Sequence, residues 1–319
     1  MVQIFLVRYE QSILIMTKKG THTYVEDPHN ESIFIYVDGL IVPRKEAKVS
    51  VFDSGFLLGD GVWEGIRLHK NHLCFQEEHM DRLFQGADKL KIDIGKSKDE
   101  MVSLVHETLS ANGMQSNVHI RLIVSRGLKR TPYQHPNANV GGPTIVVIPE
   151  YKEVDLAMIE NGIRLCVVDT IRGPQNIQDP RLNTLSKLNC IAACLEADAK
   201  GFDEGIMLDM NGHVSTCNST NFFIVKNGEV WTSTGEFCLS GVTRGNIIKL
   251  CKENSIPIFE KDFTMVDVYS ADEIFVTGTF AGVIPATEVD GYVINSGQRG
   301  DLTAQLYNFY KQKIQDLYG

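Results

Sequence analysis

The stretch at residues 178–223, QDPRLNTLSKLNCIAACLEADAKGFDEGIMLDMNGHVSTCNSTNFF, decides how the rest of the chain is understood. From Leu185 the apolar residues Leu185, Leu188, Ala192, Leu195 and Ala199 recur at helical spacing. The pattern predicts one amphipathic helix, closed by Gly201, with Lys187 just inside its first turn. Ile206, Met207 and Leu208 then form a short strand, and Asp209-Met210-Asn211-Gly212 supplies a turn whose Asn-Gly pair is the strongest local hairpin signal. A return strand through Val214 leads into Ser215-Thr216-Cys217-Asn218-Ser219-Thr220-Asn221, followed by the apolar run Phe222-Phe223-Ile224-Val225. Small hydroxyl and amide side chains between two apolar strands suit a polar loop as well as a binding turn.

Composition sets the outer limits. With 319 residues, 43% hydrophobic and 22% charged, the chain can build two domains with sizeable cores. A net charge of -9 argues against nucleic acid or an anionic membrane as the main partner. No apolar run approaches the ~20 residues of a membrane span. Seven cysteines without paired spacing fit a reducing cytoplasm better than a disulfide framework. The nine histidines show no ligand spacing, so no metal site is expected.

The N-terminal MVQIFLVRYEQSILIM is interrupted by Arg8, Glu10 and Gln11, unlike a signal peptide, and Met16 is an alternative start. Residues 1–30 are expected to form an added arm. Residues 31–150 then read as a small α/β domain, 151–157 as a linker and 158–319 as a larger domain. Within the first domain, 77–90 is a predicted helix with Met80, Leu83, Phe84 and Ala87 inward. A second helix, 97–112, starts with Ser97 and Glu100 at capping-box spacing. The chain should close with a helix over 301–317.

Several separated motifs, spread from about Tyr36 to Tyr310, together resemble the class IV (fold-type IV) pyridoxal-phosphate aminotransferases. That family includes branched-chain and D-amino-acid aminotransferases, (R)-amine transaminases and aminodeoxychorismate lyase. His79-Met80-Asp81-Arg82-Leu83 matches the HxxRL motif, whose arginine grips the cofactor phosphate. Leu239-Ser240-Gly241-Val242-Thr243-Arg244 matches L-x-G-[IV]-T-R, where a helix N-terminus with Val242 and Thr243 cradles the phosphate. Val276-Thr277-Gly278-Thr279-Phe280-Ala281 resembles the family's strand-then-Gly-Thr turn, which puts Thr279 on the phosphate and Phe280 at the substrate. The glycine-punctuated segment 53–67 resembles the small-domain strand lining the substrate pocket, which points to Leu58, Trp63 and Arg67. The Arg-x-His pair that holds the carboxylate in D-amino-acid enzymes is replaced by Thr131 and Tyr133. That lowers the D-amino-acid reading and leaves Lys129 or Arg130 as the cationic substitute.

Two positions depart from the family pattern. Counting back from Gly201, the family's Schiff-base lysine falls at Asn183 or Leu182; the nearby amine is Lys187, one helical turn later. Either catalysis is lost, or the amine has moved along the same face, since positions four apart in a helix are neighbours. The second reading makes Lys187 the catalytic lysine, with Asn183 hydrogen-bonding cofactor or substrate. A glutamate that keeps the cofactor's ring nitrogen protonated is replaced by Thr216, beside Cys217, which implies a weaker electron sink.

The resemblance thus implies a two-domain α/β (α+β) fold with pyridoxal 5'-phosphate between the domains, a homodimer, and transamination between an amino acid and a 2-keto acid. Branched-chain-like amino acids are the first substrate expectation. D-amino-acid or (R)-amine transamination, a lyase, and a cofactor-binding protein without transaminase activity remain as alternatives.

Overall fold

The computed structural model describes residues 26–319. The arm expected over residues 1–30 lies almost wholly outside the described residues. The first half of the chain runs β1 (Phe34–Val37), β2 (Leu40–Pro43), α1 (Ser54–Leu58), β3 (Gly61–His69), β4 (His72–Leu73), α2 (Gln76–Lys89), α3 (Lys98–Ala111), β5 (Val118–Ser125) and β6 (Thr144–Tyr151). These strands make one antiparallel sheet in the order β2-β1-β6-β5-β3-β4.

Alternation along β3 and β5 explains what each face does. Val62, Ile66 and Leu68 of β3 and Val118, Ile120, Leu122 and Val124 of β5 point to one face. There they pack against Met80, Leu83 and Ala87 of α2 and Met101, Val105 and Leu109 of α3. The intervening residues Trp63, Gly65 and Arg67, with His119 and Arg121 beside them in register, take the opposite face. The capping box of Ser97 and Glu100 opens α3 as its sequence predicts.

The second half continues with α4 (Leu156–Asn161), β7 (Ile163–Val167), α5 (Gln175–Gln178), α6 (Leu188–Ala199), β8 (Glu204–Leu208) and β9 (Val214–Cys217). Then come β10 (Asn221–Lys226), β11 (Glu229–Thr232), α7 (Val242–Glu253), β12 (Ile258–Glu260), α8 (Met265–Tyr269), β13 (Glu273–Gly278), β14 (Gly282–Val289), β15 (Tyr292–Val293) and α9 (Asp301–Tyr318). They form a nine-stranded mixed sheet, β12-β11-β10-β13-β14-β7-β8-β9, with β15 on β14. Its two faces carry separate apolar clusters, one around Phe222, Ile274 and Ile284, the other around Phe223, Phe275 and Leu306. Phe223 and Phe275 stack with centroids 4.8 Å apart.

The helix expected from Leu185 begins three residues later. Residues 183–185 lie extended beside β3: the Trp63 N–H donates to the Asn183 carbonyl, and the Leu185 N–H to that of Gly61, at 3.0 and 2.9 Å. These non-local bonds hold the segment out of the helix, so Lys187 is the N-cap of α6 rather than a first-turn residue. The inward stripe also differs. Ala193 and Ala197 are buried, whereas Leu188, Ile191 and Leu195 are exposed. The hairpin at Asn211-Gly212 forms as expected, with Gly212 at φ 84°.

Candidate active site

The cleft between the sheets is walled by Trp63, Gly65 and His119 of the first sheet and by Ser219, Thr220 and Asn221 ahead of β10. Leu239, Gly241, Val242 and Thr243 line it at the start of α7, and Thr277, Thr279 and Phe280 at the end of β13. Arg82 and Asn183 complete it.

One end is built for an anion. The first turn of α7 has N–H groups with no carbonyl a turn earlier, and its macrodipole adds positive potential. Gly241, the N-cap, is required by close approach: a Cβ there would lie 2.0 Å from the Asn221 Oδ1. Asn221 is itself fixed, its Nδ2 donating 3.0 Å to the Leu239 carbonyl. Thr243 offers a hydroxyl 3.5 Å from that of Tyr310.

Arg82 ties the two halves together. Its Nη1 donates to the Ser240 carbonyl at 2.9 Å, while Nε and Nη2 each lie 2.7 Å from a different oxygen of Glu64. Glu64 is fully buried and also receives His79 Nδ1 at 2.6 Å. Burial alone would raise its carboxyl, but the Arg82 charge and the bonds from His79 and Arg82 hold it below the ordinary carboxylate range. The guanidinium is thereby locked in orientation at the cleft wall.

The strap beside β3 brings Asn183 into the same wall. Its Nδ2 donates to the Trp63 carbonyl at 2.7 Å, and the Trp63 indole N–H donates to the Thr184 carbonyl at 3.1 Å. Lys187 follows one turn of chain later and lines the adjoining cavity with Arg172, Asp179, Asn189 and Cys190. Its amine stands 5.5 Å from the centroid of the Trp63 ring. Burial pushes the amine down to about 8, opposed by Cys190 and assisted by the positive charges of Arg172, Arg82 and Arg121.

Other expected residues are placed elsewhere. The Thr216 hydroxyl donates 2.7 Å to the Thr220 carbonyl within its own turn, and Cys217 is buried behind it. The hydroxyl at the cleft wall is that of Thr220, which donates 2.8 Å to the buried carboxylate of Glu204. Leu58 is on α1 and more than a third exposed. Arg130 is exposed in a loop, its N–H bonded to the Ala138 carbonyl. Arg67 donates 2.6 Å to the Lys152 carbonyl and lies 5.3 Å from the Phe280 ring, at the edge of the cleft.

The structure adds residues that the motifs do not name. Arg121 stacks 3.7 Å from the Trp63 ring centroid, and Lys152 stands 4.2 Å from that of Phe280. With Arg67 they give the outer rim a positive potential suited to carboxylates. Strand alternation through Val118, Ile120 and Leu122 was the available signal, since it places His119 and Arg121 opposite the core. The described residues hold no group of three or more His, Cys, Asp and Glu that could bind a metal.

Known proteins of the same build account for this arrangement. The family described as Amino-transferase class IV matches residues 61–289. A putative branched-chain-amino-acid aminotransferase of Methanocaldococcus jannaschii is 41% identical, over 89% of this chain and 96% of its own. D-alanine aminotransferase of Listeria monocytogenes is 30% identical over 88% of this chain and 96% of its own. Among solved structures, the branched-chain aminotransferase of Thermoproteus uzoniensis superposes with a TM-score of 0.80 at 31% identity, covering 88% of this chain and 94% of that one. That of Escherichia coli gives 0.82 at 28%, over 88% and 94%. The family match over more than half of the chain, the 41% identity to a relative covered almost end to end and the shared fold show that the chain belongs to the class IV aminotransferases.

Proposed function

We propose that the cleft takes pyridoxal 5'-phosphate and that the chain moves amino groups between an amino acid, branched-chain-like first, and a 2-keto acid. The residues present fit the phosphate: Arg82, the α7 N–H groups, Thr243 and Thr279 converge on one end of the cleft. When bound, the cofactor supplies the electron sink and the carbon that carries the amino group. Trp63, Phe280 and Val242 offer apolar walls to its ring and to an aliphatic side chain, and exclude water from the reacting carbon. Arg121, Lys152 and Arg67 give the substrate carboxylate a positive rim.

Lys187 is the amine assigned to covalent anchoring and proton movement at its Nζ. The observation that carries this assignment is its amine over Trp63, lowered to about 8, so that a neutral fraction exists near physiological pH. A second reading, reversible binding without transamination, is favoured by Asn183 forming the cleft wall while Lys187 lines the adjoining cavity. Borohydride reduction of the cofactor-loaded protein followed by peptide mapping separates the two. A label on Lys187, with turnover of L-leucine and 2-oxoglutarate, supports the first; a label elsewhere overturns the residue assignment. A free-aldehyde spectrum without label supports the second.

We further place the chain in the cytoplasm as a homodimer. All seven cysteines are free, which suits a reducing compartment. Among the described residues no helix is long and apolar enough to cross a membrane.

A further inference from the structure

The Asn183 side chain is tied to β3 through its Nδ2, which donates to the Trp63 carbonyl. On the backbone, the Asn183 carbonyl accepts from the Trp63 N–H and the Thr184 carbonyl from the Trp63 indole. Because a backbone carbonyl only accepts, the amide nitrogen must face Trp63, and the amide cannot be flipped. Its Oδ1 is therefore the end left over. That oxygen is shielded from bulk water, no donor among the described residues reaches it, and the residue is only 4% exposed. A buried carbonyl oxygen without a donor costs free energy that a ligand donor recovers.

The chemistry of this oxygen selects what it can take. Asn183 lines the cleft that Arg82 and the start of α7 make suitable for a phosphate. An acceptor left without a donor is complemented by a ligand that brings its own N–H to it. An aldehyde brings none, because its oxygen only accepts.

We propose that Asn183 Oδ1 is a receptor for a primary ammonium group, and that it makes the cleft prefer the amine form of the cofactor, pyridoxamine 5'-phosphate, over forms without a donor at that carbon. The proposal rests on the cofactor reading above and deepens it. Asn183 is a binding residue that discriminates between two states of the same ligand. It takes no part in bond making.

The test is a binding series on the cofactor-free chain, read by quenching of tryptophan fluorescence, since Trp63 is at the cleft wall. Pyridoxamine 5'-phosphate is compared with 4'-deoxypyridoxine 5'-phosphate, which replaces the amine-bearing carbon by a methyl group. A charge-assisted hydrogen bond predicts roughly ten- to hundredfold tighter binding of the amine. In Asn183→Leu that gap should collapse while the deoxy compound binds as well or better, an outcome that a merely unfolded variant cannot give. Equal binding of both compounds by the native chain overturns the proposal and leaves the cofactor reading standing. If neither compound binds, both fall. If the variant binds neither, the gap measured in the native chain decides.

Discussion

At the scale of single residues, Glu64 is the group whose removal should be felt most widely. It sits on the core side of β3, with no exposure, and joins His79 to Arg82. Glu64→Gln keeps the shape but removes the charge that offsets the guanidinium. The expected cost is about 2–4 kcal/mol of stability, together with weaker binding of pyridoxal 5'-phosphate and a smaller effect on unphosphorylated pyridoxal. Thermal melting and the ratio of the two affinities check it. The pH dependence has a definite sign. The carboxyl is held below its ordinary value, so its contribution is complete above the unfolded value of about 4.3. It is lost as pH falls through the lower folded value. Glu64→Gln should flatten acid unfolding in that window. Lys187 has the same sign in a higher window. Its amine is lowered from 10.5 to about 8, so the folded chain resists its proton, and stability should rise as pH rises between those values. The same amine predicts that kcat/KM climbs toward a plateau with a midpoint near 8, and that Lys187→Arg abolishes both the climb and the borohydride label.

At the scale of elements, the start of α7 carries the most demanding geometry. Gly241 has an ordinary φ of -64°, so any residue could adopt its backbone; what excludes a side chain is Asn221 Oδ1, 2.0 Å from where a Cβ would lie. Gly241→Ala should cost about 1–3 kcal/mol through overpacking and weaken binding of inorganic phosphate and pyridoxal 5'-phosphate alike. Calorimetric titration of both ligands checks this, and unchanged affinities would show that the anion is not held at this helix start. The same element shows what sequence can convey. Leu239 through Arg244 is a local motif, and the helix start it builds is local, so α7 begins at Val242 as the sequence predicts. The hairpin at Asn211-Gly212 and the capping box of α3 are legible for the same reason: their bonds close within a few residues. The strap at 183–185 is not local. Its partner is Trp63, 120 residues away from Asn183, and its bonds override a helical spacing that continues through Leu185. Periodicity could not show that competition, and it moved Lys187 from the first turn to the N-cap. His119 and Arg121 were missed for a different reason. Their alternation was visible, but which face of β5 meets the second sheet is decided only when the sheets pack.

At the scale of the molecule, the segment from Ser50 to Leu58 poses the remaining question. Val51, Phe56 and Leu58 are 65%, 68% and 37% exposed, an apolar surface that a monomer has little reason to present. The segment also adjoins the site. A Cβ on Gly55 would lie 2.9 Å from the Leu185 side chain, and one on Gly59 would lie 3.2 Å from the Ser186 backbone, so α1 packs directly on the strap that delivers Asn183 and Lys187. A second copy covering Val51 and Phe56 would bury this surface and brace that strap at once. The proposed homodimer therefore predicts that Val51→Asp combined with Phe56→Asp lowers the sedimenting mass by half. Exposed positions normally tolerate substitution within about 0.5 kcal/mol, so the monomeric melting temperature should barely move, while affinity for pyridoxamine 5'-phosphate should fall with the mass. Analytical ultracentrifugation of both proteins across a dilution series provides the measurement. A native chain that sediments as a monomer ends the dimer proposal. A variant whose mass is unchanged moves the interface to another exposed apolar surface, that of Leu188, Ile191 and Leu195 on α6, where substitutions to Asp can be repeated.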